Sequence, residues 1–223
     1  MRDDVELLIA GGGLNGLLLG IACAGAGLPV AVVDRQDPAA LLEAGFDGRS
    51  SAIAYGSQQA LAALGLWPFV AAEAEPILEI RVADDNASFF LHYDHRELGP
   101  DLAQGAAPLG WIIENRVLRH ALIERARSLP ALTLLAPLAV EAVATTAGAV
   151  EAMLSDGRRV QSRLVAAADG APSPLRRAAG IRTLEWRYPQ TAIVTTVRHE
   201  RPHLGIAVEH FLPAGPFAIL PMT

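Results

Sequence analysis

Four residues set the first chemistry: Gly11, Gly13, Gly16 and Asp34. The glycines stand in the run Gly11-Gly12-Gly13-Leu14-Asn15-Gly16, directly after an apolar stretch at 5–10. Gly11 permits a tight turn, Gly13 lets backbone approach a pyrophosphate, and Gly16 lets a helix pack close to a strand. The helix start that follows offers free N–H groups and the positive end of a dipole to phosphate oxygens. Asp34 closes the next apolar run, 30–33, where a carboxylate can accept hydrogen bonds from a ribose. Strand, glycine turn, helix, strand and terminal acid, in that order, make a Rossmann-type dinucleotide site. The pattern alone leaves open FAD or a nicotinamide dinucleotide.

A second constellation lies at Ala168-Asp169-Gly170-Ala171-Pro172-Ser173-Pro174-Leu175-Arg176. An apolar strand delivers Asp169 at its end, Gly170 turns the chain, and Ser173 opens a helix with Arg176 in its first turn. At the carboxyl edge of an open α/β sheet, where ligands bind, Asp169 could accept from a ribose or ribityl hydroxyl. Taken alone, the motif is better read as a turn aspartate and a serine cap. Joined to the glycine turn, it is better read as part of a binding site. His92, Asp94 and His95 raise a metal reading, since the first two can share a strand face, but no third close ligand is evident and a solvated strand end is preferred. His199, His203 and His210 sit among charged residues and read as exposed or paired. No metal site is expected.

These residues need elements to hold them. Apolar strands at 5–10, 30–33, 132–135 and 164–168 suit a parallel core. Helices are expected at 58–64, with Ser57 as its cap, and at 116–128, capped by Asn115. Alternating segments at 77–83, 88–93, 191–197, 206–211 and 217–220 suit a mostly antiparallel sheet, with a turn at 84–86 and a loop at 99–110. The 139–145 and 149–154 segments read as a meander. The second group interrupts the first, so the expectation is an α/β, Rossmann-like core interleaved with a substrate-side sheet. The dinucleotide domain is placed at 1–75 and 110–182, and the substrate-side sheet at 76–109 and 183–223.

Bulk properties narrow the partners. A net charge of −6 argues against nucleic acid. The single cysteine, Cys23, excludes a disulfide framework and a redox pair. The charge-free run 7–33 is long enough to suggest a membrane span, but its glycines and Pro29 divide it into strand, turn, helix and strand. Its acidic opening does not fit a secretory signal. The expected location is cytoplasmic, with membrane contact at most peripheral, at the inner membrane.

The order of Gly11–Gly16, Asp47-Gly48-Arg49, the Asp169-Gly170 motif with Ser173 and Arg176, and Gly215-Pro216-Phe217 resembles the class A flavoprotein aromatic hydroxylases of the para-hydroxybenzoate hydroxylase fold. Within them it is most similar to the hydroxylases of ubiquinone biosynthesis. The resemblance implies FAD as cofactor and NAD(P)H as co-substrate. It implies that Gly11, Gly13, Gly16 and Asp34 hold the ADP half of FAD and that Asp169 and Gly170 contact the cofactor. Arg49 would lie near the flavin and pyrophosphate, and Arg116, or Glu114, near the cofactor at a helix entry. Phe217 and its neighbours would pass the flavin ring from the substrate side. The substrate would be a small aromatic molecule, a prenylated phenol, hydroxylated with O2, with Phe89, Phe90, Phe211 and Phe217 as candidate lining. No catalytic side chain is assigned.

The chain stops at Thr223 on strand-like sequence, without the later Gly-Asp motif of such hydroxylases. It is therefore expected to be an N-terminal portion, with its own activity and FAD binding in question. Two rival readings remain: a nicotinamide-dependent dehydrogenase, which needs only the glycine turn, and a non-catalytic folded fragment, which could cover its exposed edge as a homo-oligomer.

Overall fold

The computed structural model describes residues 3–43, 45–85, 87–97, 107–146 and 148–223. The chain opens with β1 (Asp3–Ala10), α1 (Leu14–Gly25), β2 (Val30–Val33) and α2 (Pro38–Glu43). It continues through β3 (Ser50–Ala54), α3 (Tyr55–Ala63), α4 (Trp67–Val70), β4 (Glu75–Ile77), β5 (Glu79–Asp84), β6 (Phe90–Asp94) and β7 (Gly110–Glu114). Then come α5 (Asn115–Arg127), β8 (Leu132–Leu135), β9 (Val140–Thr146), β10 (Ala149–Leu154) and β11 (Arg159–Ala167). The chain ends with α6 (Pro174–Ala178), β12 (Ile206–Leu212) and β13 (Gly215–Ile219).

These elements form two compact units, each discontinuous in sequence: Met1–Asp47 with Leu118–Ile193, and Gly48–Val117 with Val194–Thr223. Segments 48–75 and 110–117, grouped with the dinucleotide domain in the sequence reading, pack within the second unit.

The first unit is built on a six-stranded sheet in the order β8-β2-β1-β11-β10-β9. Strands β8, β2, β1 and β11 run parallel, and β10 and β9 add an antiparallel meander. The run Val30–Val33 is buried at every position, as a parallel strand covered on both faces must be. Leu8, Ala31, Val33, Ala152, Leu154 and Val160 share one core cluster. Helix α1 turns buried Leu17 and Ile21 toward the sheet. A Cβ added at Gly20 of that helix would come within 2.8 Å of Val32 Cγ2.

The second unit carries a four-stranded sheet, β13-β12-β5-β6, and a three-stranded one, β3-β7-β4. Its antiparallel pairs are joined by one parallel pair, β12 with β5. Ile77, Ile112 and Ala207 form its core, with Ile80, Leu109 and Met222 packed against them. Trp111 takes the edge of Trp67 at a centroid distance of 5.0 Å and stacks with Tyr55 at 6.4 Å.

Several expectations are corrected. The segment 191–197 is not a strand: it has no ladder partner among the described residues, and Ile193, Val194 and Val197 stand exposed. Alternation supplies a face, but a strand also needs a neighbour to take its N–H and C=O groups. Helix α3 begins at Tyr55, so Ser57 lies inside it, and its N-cap is Ala54 in extended conformation. Asn115 is the first residue of α5, and its side-chain oxygen accepts from the Ser51 hydroxyl at 2.6 Å. The short sheet β3-β7-β4 was not anticipated. Asn86 of the expected turn and 99–106 of the expected loop lie outside the described residues. Among the described residues, no helix is long and apolar enough to cross a membrane.

Candidate functional site: a dinucleotide cradle

The cradle forms in the first unit, at the carboxyl ends of β1, β2 and β11. Ala10 accepts from Ala168 N at 2.7 Å, and Gly11 N donates to Val33 O at 2.8 Å, so the three strand ends are tied together. Gly11 has φ +108°, and a Cβ there would stand 2.2 Å from Ala168 O. Only glycine fits both the conformation and the space. A Cβ on Gly16 would fall 1.8 Å from Gly11 O, which is why the helix can begin so close to the turn. Gly13 is different. It is the N-cap of α1 at φ −67°, ψ −176°, and beyond its own chain neighbours no described atom lies within 4 Å of where its Cβ would be. The fold does not need glycine there, whereas a phosphate approaching the backbone does.

The start of α1 is left open for an anion. No described side chain caps it, and its first turn carries no acidic residue. The helix therefore presents free N–H groups and its positive dipole end at the mouth of the cradle. Asp34 stands beside it. Its carboxylate accepts from Gly12 N (2.5 Å) and from Gln36 N (2.7 Å). Those two bonds fix the carboxylate against the glycine turn and leave lone pairs for a ribose.

Asp169 closes the opposite side. One carboxylate oxygen, Oδ2, accepts from Leu175 N at 3.2 Å. The other, Oδ1, is buried and has no hydrogen-bond partner among the described residues. A buried carboxylate oxygen without a donor is costly, so Asp169 Oδ1 calls for a partner that the described residues do not supply, a water, an ion or a ligand. Gly170 follows with φ +89°. Ser173 Oγ accepts from Arg176 N at 3.1 Å, capping α6 as the sequence suggests.

Gly11, Gly13, Asp34, Asp169 and Gly170 all line one cavity of about 690 Å³. Leu138, Ala139 and Val140 line it as well, and sequence reasoning missed them. Leu138 N donates to Asp34 O at 2.7 Å. The signal lay in topology: β8 pairs in parallel with β2, so the residues after Leu135 must emerge at the same sheet edge as Asp34.

Arg49 and Arg116 belong to the second unit. Arg49 O accepts from Asn115 N at 3.0 Å. The Arg116 guanidinium pairs with Glu114, and that bond holds it charged. The structure does supply the third ligand atom that the sequence around His92 lacked. Glu79, His92 and Asp94 carry ligand atoms within 4.8 Å of one another. Both carboxylates are already matched, Glu79 by Arg81 at 2.6 Å and Asp94 by Arg96 at 2.5 Å. The Arg81 hydrogen bond holds Glu79 below the usual carboxylate range. Arg96 side-chain and backbone bonds hold Asp94 well below it. The cluster is a balanced ion-pair network across β5 and β6.

The cradle's donors and acceptors suit a diphosphate flanked by hydroxyl-bearing chains, and known proteins point the same way. The chain is 52% identical over 217 residues to the ubiquinone hydroxylase UbiL of Rhodospirillum rubrum, covering 97% of this chain and 49% of that protein. It is 32% identical to the 3-demethoxyubiquinol 3-hydroxylase of Escherichia coli, covering 99% of this chain and 55% of that protein. It thus spans about half the length of these relatives. Among solved structures, the fold matches pqsL, a probable FAD-dependent monooxygenase from Pseudomonas aeruginosa. The TM-score is 0.67 at 22% identity, over 84% of this chain and 48% of that one. Together with a match to the FAD binding domain model over residues 4–214, this establishes that the chain belongs to the FAD binding domain family.

Proposed function

We propose that the chain is the FAD-holding portion of a monooxygenase that hydroxylates the aromatic ring of a prenylated phenol in ubiquinone biosynthesis, with NAD(P)H and O2 as co-substrates. The observation that carries this reading is Asp169, which lines the same cavity as Gly13 at the start of α1 and Asp34 and whose Oδ1 is buried with no hydrogen-bond partner among the described residues. A dehydrogenase site needs the glycine turn and Asp34 alone. A second acid at the far wall suits a longer dinucleotide whose second half carries further hydroxyls. The two relatives, a ubiquinone hydroxylase and a 3-demethoxyubiquinol 3-hydroxylase, support the choice of substrate class.

When bound, FAD would supply the redox and oxygen chemistry. The chain's residues would position it. The backbone of Gly11 and Gly13 and the N–H groups opening α1 would hold the pyrophosphate, with Gly16 allowing the helix to start there. Asp34 would accept from the adenosine ribose, and Asp169, beside Gly170, from a ribityl hydroxyl. Arg49 and Arg116 are proposed as further cofactor-binding residues. The cofactor domain is assigned to 1–75 and 110–182, and the substrate-side sheet to 76–109 and 183–223, with its aromatic side chains offered to an apolar substrate. The working location is the cytoplasm, peripheral to the inner membrane.

Titration of the chain with FAD, followed by flavin absorbance and fluorescence, tests the cofactor. Saturable binding is expected. Binding of NAD(P) with no uptake of FAD would favour the dehydrogenase. Substrate-stimulated NADPH oxidation, with one atom of labelled O2 recovered in the phenol, tests the reaction. Flavin binding without turnover would favour the non-catalytic reading for this chain.

A further inference from the structure

Each sheet in this protein has two outer strands: β8 and β9, β13 and β6, β3 and β4. An outer strand offers a row of unmatched N–H and C=O groups, and proteins usually blunt it with proline, charge or brevity. Strand β13 contains Pro216 and β4 contains Pro76. Strand β6 carries His92 and Asp94, β8 has four residues, and β3 has five. Strand β9 has the fewest of these devices. It has seven residues, Val140–Thr146, no proline and one charge, Glu141. It pairs with β10 along one edge and with no described strand along the other. From Glu141 to Thr146 every residue is exposed, so among the described residues no layer covers either face of the strand there.

We propose that two copies of this chain associate by antiparallel pairing of β9 with β9 about a two-fold axis at Val143. This axis uses all seven residues. It sets Val140 against Thr146, Glu141 against Thr145, Ala142 against Ala144, and Val143 against itself. No like charges oppose each other, whereas an axis at Glu141 would bring two carboxylates together. Small side chains at 142, 144, 145 and 146 let the strands approach. The contact is isologous and closed, joining two six-stranded sheets into one. It is independent of the flavin reading, because none of the β9–β9 pairs involves a cradle residue beyond Val140.

Light scattering on the purified chain across a concentration series tests the association, and charge at position 145 tests its register. Dimer is expected to grow with concentration. Thr145→Arg, facing Glu141 twice across the axis, should tighten it about tenfold, and Thr145→Glu should loosen it about tenfold. Val143→Lys, which sets two cations on the axis, should leave monomer alone. Both sites are exposed, and circular dichroism would verify that each of the three variants is folded. A chain that is monomeric throughout the series overturns the proposal. So does a dimer that ignores these substitutions or answers both charges at 145 alike.

Discussion

Gly11 and Gly13 are two positions apart yet do different work, and alanine separates them. At Gly11 an added methyl would meet Ala168 O at 2.2 Å in a backbone of positive φ. Gly11→Ala should cost about 2–4 kcal/mol of stability, measured by urea unfolding of the ligand-free chain. At Gly13 the same methyl enters open space at an ordinary φ. Gly13→Ala should cost at most about 1 kcal/mol, as an N-cap change, while weakening FAD at least tenfold. If both variants lose stability equally, Gly13 is a folding residue and its assignment to phosphate falls. Asp169 offers the converse test. Asp169→Asn removes a buried charge whose Oδ1 has no described partner, so ligand-free stability should hold or rise. FAD affinity should nevertheless fall roughly tenfold, the order expected for a charge-assisted hydrogen bond. A variant that melts lower and binds FAD unchanged would show that the carboxylate serves the fold.

At the level of elements, β5 and the end of β6 each carry a carboxylate that titrates low, Glu79 and Asp94. Arginine partners depress the folded-state pKa of Glu79 and of Asp94. Their stabilisation is therefore complete above the usual carboxylate range and is lost as pH falls from about 4 downward, when the groups must be protonated. Thermal melts of the chain should show this decline, and Asp94→Asn should flatten it. An unchanged acid limb in that variant would mean the pairs contribute nothing in solution. The elements also show what could be read in advance. The path from β1 through the glycine turn to β2 was legible because each step is local: an apolar run, a glycine spacing, an acid at the next strand end. The sheet β3-β7-β4 was hidden because Ser50–Ala54 is small and bland, β4 holds a proline, and their partner begins at Gly110. The misreading at 191–197 has the same root, since strand partnership is set by distant residues. In the site, Asp34 and Asp169 were visible as strand-ending acids, while Leu138–Val140 entered only through the parallel pairing of β8.

For the whole molecule, two separate cores make ligand effects unequal. FAD at a hundred times its Kd should add about 2.7 kcal/mol to whatever unfolds with the cradle. In calorimetry, the transition carrying the first unit should move up with FAD concentration, and that of the second unit should move less. A single transition shifting as one would show that the units melt together. The interleaving of the chain has another consequence, in time. Strand β1 is central to its sheet, yet its neighbour β11 lies far along the sequence: Glu6 and Arg163, joined at 3.0 Å across that pair, are 157 residues apart. At roughly 5–20 residues per second of synthesis, the apolar face of β1 waits about 8–30 s for its partner to leave the ribosome. Asp169 comes later still, so no nascent chain can hold the cofactor by both acids until three quarters of these residues exist. Slower elongation should lengthen that exposure and lower the soluble yield, which expression with synonymous slow codons between β2 and β11 would measure.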